Sequence, residues 1–193
     1  MRTAQDIMAA LRAPSANVLE LTDEEIDGFS DRDIELLQAE FGATVLMKLP
    51  PREQVFMQWL REEDPGVYAD LWDDDAALLV SLSFLQDFRK GGRGFQICEL
   101  EEHDNYFFTP RHVKQEGAAA LKDILARAQA GKDLAVEEAL MFEIVRAPLD
   151  IWHFCHRFSI PAARGKEAVR ALVAHDWLVH LPRREDLLQY IDE

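Results

Sequence analysis

The sequence predicts an α+β protein that is mainly helical, with an α-rich N-terminal part carrying a small sheet and a C-terminal bundle of three helices. Three observations predict it. Apolar residues recur at spacings of three and four through most of the 193 residues, which is the signature of helices that bury one side. β-branched and aromatic runs are short and confined to residues 43–49 and 76–109. After Pro110 the pattern is helical to the end. That change of texture divides the chain into an acidic α+β part, 1–115, and a helical part, 116–193, although one compact unit would fit the same pattern.

The elements follow in order. Ile7, Met8 and Leu11 share one helical side, and Pro14 stops that helix. Thr22 with Glu25, and Ser30 with Asp33, have the spacing of capping boxes, in which a hydroxyl and a carboxylate satisfy each other's backbone N–H groups. The helix behind Ser30 places Ile34, Leu37 and Phe41 inward and ends at Gly42. Residues 43–49 suit a strand. In 51–62, Val55, Phe56, Trp59 and Leu60 form a stripe, and Pro65 opens another short helix. Between 76 and 109 we expect two or three strands, AALLVSLSFL (76–85) being equally compatible with a buried helix. Residues 116–130 bury Leu121, Ile124, Leu125 and Ala128, with Gly131 just past the end. Residues 134–146 bury Val136, Leu140, Met141 and Ile144.

The stretch 149–179 carries the most information. Ile151, Phe154, Cys155 and Phe158 recur at i, i+3, i+4 and i+7, so they form one buried stripe. His153, His156 and Arg157 fall on the other side. Ser159-Ile160 make a turn, and Pro161 stands where a helix start favours it, because its missing N–H has no partner to lose there. The following helix turns Gly165, Ala168, Val169 and Leu172 inward and Ala163, Lys166, Glu167 and Arg170 outward. Two short helices joined by a sharp bend make a helix-turn-helix-like unit.

Phe154 to Ile160 resembles the winged helix-turn-helix pattern of large apolar, small, two polar, large apolar, Gly, aliphatic. Cys155 takes the small position that lets the helices approach. Leu172 to Leu178 is similar to the exit from that family's second helix. The resemblance covers about 134–181, with Leu134–Ile144 as the first helix of a trihelical core; the rest of the chain is unrecognised. Three departures accompany it. Gly165 replaces a β-branched core residue, at a cost in packing and roughly 1 kcal/mol of helix propensity. Asp176 replaces a Gly, and the wing is short, Val179-His180-Leu181 running into Pro182-Arg183-Arg184. The resemblance implies a surface that touches DNA or a partner through Arg157, Arg164, Lys166, Glu167, Arg170, Arg183 and Arg184, with Ala162 and Ala163 between them.

Charge bears on that implication. The formal net charge is −15. Residues 149–184 carry six basic and three acidic residues, whereas 1–148 and 185–193 are both acidic. The acidic bulk repels nucleic acid and anionic membranes, but screening limits this to roughly 8 Å at physiological salt. A face with two alanines and Glu167 offers few hydrogen bonds to base edges. We therefore expect the unit to serve protein interaction, self-association or structural packing. Double-stranded DNA is the alternative, and an enzyme with a site in 76–112 the third. No catalytic signature is present, no cofactor or metal is expected, and RKGGRG (89–94) lacks the spacing of a nucleotide-binding loop. Cys155 lies on the buried stripe while His153 and His156 face away, so the three cannot converge on a metal. Asp73-Asp74-Asp75, and Asp23 to Gly28, lack the pattern of a cation loop. Cys98 and Cys155 are expected as reduced thiols in a cytoplasmic protein, one disulfide remaining open. No apolar run approaches the ~20 residues of a membrane span.

Overall fold

The computed structural model describes residues 1–13, 17–71, 78–89, 106–108, 118–144 and 151–181. It is an α+β protein, mainly helical, with a small three-stranded sheet. The chain forms two compact units, Met1–Gly94 and Phe95–Glu193. In the second unit β4 (Tyr106–Phe108) runs antiparallel to β5 (Val179–Leu181), the strand that follows the C-terminal helices.

In the first unit, helices α1 (Ala4–Leu11), α2 (Asp23–Gly28) and α3 (Asp31–Phe41) each start with a capping box, at Thr3/Asp6, Thr22/Glu25 and Ser30/Asp33. The box at Thr3 was not among those expected from sequence. Each satisfies N–H groups that a helix start otherwise leaves without partners. Between them run β1 (Val18–Leu19), β2 (Leu46–Lys48) and, further on, β3 (Leu79–Ser81), in the order β1-β2-β3. The β1–β2 pair is parallel and the β2–β3 pair antiparallel. Leu19, Met47 and Val80 are register partners and all are buried, whereas the next row, Val18 and Leu46, is exposed. The sheet thus has a covered face and a face in water, as the two-residue period of a strand requires.

Helix α4 (Pro51–Glu63) buries Glu53, Phe56, Met57 and Leu60. The expected stripe is shifted: Val55 is exposed, and Trp59, half-buried, stacks beside Phe56 with ring centroids 5.9 Å apart. Glu53 and Phe56 bracket the same helical side as Met57 and Leu60, so the period was right and its phase was off by one position. Helix α5 (Pro65–Leu71) follows. The described residues of the ambiguous segment AALLVSLSFL, 78–85, hold β3, then a 3₁₀ turn at Leu82–Phe84, then the first residue of α6 (Leu85–Arg89). Ser81 caps the turn, its hydroxyl accepting from the Ser83 N–H.

Polar clasps bind the first unit. The Glu25 carboxylate, almost fully buried, accepts from Arg2 Nε at 2.8 Å and Nη2 at 2.9 Å and from the backbone N–H groups of Arg2 and Thr22. Those donors hold its pKa down to about 2 against the opposing effect of burial. Arg52 reaches Asp27 at 2.9 Å and donates to the Phe88 carbonyl, joining α4, α2 and the end of α6.

In the second unit, α7 (Ala118–Gln129) packs on α8 (Val136–Ile144), and α10 (Ala162–Ala174) packs on both α8 and α9 (Ile151–Arg157). Ile124, Leu140, Met141, Phe154, Val169 and Leu172 form the center of this core. Arg127 ties α7 to α8 through a two-pronged pair with Glu138 and also holds Asp123. Glu138 in turn accepts from the Ala135 N–H. The stretch GFQICEL, residues 90–94 of RKGGRG, Asp73 to Asp75, His103, His112, Cys98 and residues 182–193 lie outside the described residues.

Candidate functional site at the turn between two helices

Helix α9 ends because Ser159 adopts a left-handed backbone, φ +53°. The Ser159 N–H then donates to the His156 carbonyl and the Ile160 N–H to the Cys155 carbonyl at 2.8 Å. That pair of bonds is the Schellman closure, which satisfies carbonyls at a helix end. The same closure ends α10. Asp176, φ +58°, donates to the Val173 carbonyl and Trp177 to the Leu172 carbonyl. It also ends α7 at Gly131, φ +67°. Two of the three therefore use a residue with a side chain where glycine is favoured, at the positions where the sequence pattern placed Gly-like residues.

The two helices meet at Gly165. A Cβ there would lie 2.1 Å from Cys155 Sγ and 3.4 Å from Ile151 Cδ1. The packing cost expected of Gly165 is thus reversed: the thiol fills the space that a side chain would need, and only glycine lets the helices approach this closely. Cys155 is fully buried and forms no disulfide among the described residues.

The outward face differs from expectation in three places. Ala162 is buried at 2% exposure, so it does not belong to the face. Phe158, expected inside, is 45% exposed. It stands just beyond the last residue of α9, where the chain leaves the helical period, and its ring lies 4.9 Å from Phe154 and beneath the Arg157 guanidinium at 4.6 Å. Trp152, on no predicted stripe, is buried, with Lys166 Nζ 5.8 Å from its ring centroid. Helix α9 is enclosed on two sides, and a single-stripe pattern does not register the second.

Ala163, Glu167 and Arg170 are exposed and Lys166 is half-buried, all on the outer side of α10. The two arginines flanking the turn are both engaged by carboxylates of α8. Arg157 Nη2 lies 2.8 Å from Glu143, and Arg164 Nη2 lies 2.6 Å from Glu137. Arg164 also stands 4.0 Å from Glu167, one helical turn on. The hydrogen bond from Arg164 lowers the pKa of Glu137 below the ordinary carboxylate value. Two of the basic residues read along the chain, Arg157 and Arg164, are thus each paired with a carboxylate of α8. Glu137 and Glu143 were missed by sequence reasoning. They stand 27 and 14 positions from their partners, and no periodic signal links such residues. Arg183 and Arg184 lie outside the described residues.

His153 and His156 are half-buried and Cys155 is enclosed on the opposite side of α9. Among the described residues, no group of three His, Cys, Asp or Glu side chains is placed to hold a metal ion, and no helix is long and apolar enough to cross a membrane. No family model matches the chain, and neither a curated protein nor a solved structure matches it.

Proposed function

We propose that residues 136–181 form a helix-turn-helix-like unit, built as a winged-helix-like trihelical core, that contacts other proteins. One observation carries this: the arginines on either side of the turn, Arg157 and Arg164, are already paired with Glu143 and Glu137 of the same unit. A surface that binds duplex DNA needs uncompensated cations to displace condensed counterions, because that displacement supplies most of the non-specific affinity. What the turn presents is an exposed aromatic ring, Phe158, capped by a guanidinium and bordered by small and charged side chains. Aromatic and arginine side chains in this arrangement are those that anchor protein–protein contacts.

Two measurements test the proposal together. Titration with mixed-sequence duplex DNA at 50 mM salt is expected to show no saturable binding below the micromolar range. A photo-crosslinking amino acid at Glu167, on the exposed side of α10, is expected to yield a discrete protein adduct in cells, lost in Phe158→Ser. Micromolar or tighter DNA binding by the wild-type chain, weakening steeply with salt and weakened by Arg170→Ala, refutes it and installs the DNA-binding alternative.

A further inference from the structure

Glu137 and Glu143 sit at opposite ends of α8, and each holds one of the two arginines that flank the Phe158–Pro161 turn. Arg157 is the last residue of α9, and Arg164 is in the first turn of α10. Without those carboxylates, the bend would present two guanidiniums seven residues apart, beside Lys166 and Arg170 on the next helix. With them, each guanidinium has an anion at the distance a phosphate oxygen would occupy. A phosphate approaching the bend must either displace a carboxylate or accept it as a like-charged neighbour.

We propose that Glu137 and Glu143 act as built-in phosphate substitutes that close this face to polyanions, and so determine which class of partner the unit accepts. The proposal rests on the protein-contact function above and assigns its selectivity to two named side chains. All four side chains keep part of their surface in water, with exposures of 54% and 22% for the Arg157–Glu143 pair and 39% and 31% for Arg164–Glu137. Half-exposed pairs of this kind contribute little to stability, so removing the negative charges leaves the fold in place while changing what the face attracts.

The test is Glu137→Gln/Glu143→Gln in the full chain, titrated with a fluorescent duplex DNA from 20 to 200 mM salt beside the wild type. Each glutamine keeps the size of the side chain and an acceptor oxygen. The double variant is expected to bind at least about tenfold more tightly than wild type at the lowest salt, since each like charge removed at contact distance in water changes affinity roughly fivefold. Its affinity should fall with salt along a slope of about −2 in log–log terms, one unit per freed arginine. Adding Arg157→Gln and Arg164→Gln should abolish the gain, and circular dichroism should show the same helix content for all three proteins. A folded double variant no tighter than wild type overturns the inference, as does a gain that survives loss of both arginines. A double variant that loses its helix content also overturns it, because the pairs would then hold the fold together. The two proposals fail separately: DNA binding by the wild type counts against the protein-contact function, whereas the ratio of double variant to wild type judges the role of the glutamates.

Discussion

Gly165→Ala separates local helix preference from tertiary packing more sharply than any other single change. In an isolated helix it is favourable by about 0.5–1 kcal/mol, since alanine has less conformational entropy to lose. In this protein the new methyl would lie 2.1 Å from Cys155 Sγ, and ordinary contact begins at 3.4 Å. Helices α9 and α10 must separate by over an ångström, or the enclosed thiol must leave its rotamer. Neither is available without disturbing Ile151, 3.4 Å away on the same helix as the thiol. Overpacking a filled core costs typically ~1–3 kcal/mol, so after subtracting the helix gain the net effect is a loss of up to about 2.5 kcal/mol. Urea unfolding followed by tryptophan fluorescence reads it, because Trp152 is buried in α9, the helix that carries Cys155. Cys155→Ala alone should cost ~1 kcal/mol through the cavity it leaves. The double variant should be more stable than the sum of the two by about 1 kcal/mol or more, because the alanine methyl enters the space the sulfur vacates. A Gly165→Ala protein with a raised midpoint, or a double variant whose losses simply add, would refute the close-approach account.

Acid should loosen the first unit through Glu25. Its pKa is about 2 when folded against an ordinary 4.5. The stabilisation is therefore complete above pH ~4.5 and drains away as pH falls toward 2, amounting to about 2 kcal/mol once the half-exposed Arg2 is allowed for. Glu25→Gln should flatten that part of the pH–stability curve, and an unchanged acid limb would contradict the clasp. Ser159→Gly should raise the thermal midpoint by the equivalent of ~0.5–1 kcal/mol, since glycine carries no penalty at φ +53°; a lowered midpoint would show that the serine side chain holds the turn. Thr22→Ala should cost ~1 kcal/mol by removing the acceptor for the Glu25 N–H, read in the same melts.

Much of the fold was legible because it is local. A hydroxyl three residues before a carboxylate satisfies its own helix start wherever it occurs, so Thr22/Glu25 and Ser30/Asp33 could be read directly. The inward sides of α3 and α10 follow from a period of 3.6. So does the bend at Ser159–Ile160, where the chain reverses between two apolar stripes.

The candidate site was only half legible, because its chemistry depends on residues distant in sequence. The basic stretch was visible along the chain, but Glu137 and Glu143 each engage one of its arginines from a helix separated by residues 145–150. The sign of the Gly165 effect depended on where the Cys155 sulfur sits. Phe158 was placed by the point at which α9 stops, and Tyr106–Phe108 by its pairing with Val179–Leu181. Short-range hydrogen bonding and amphipathic period are written into consecutive residues. Charge compensation, close helix approach and strand pairing are properties of surfaces that exist only after the chain has folded.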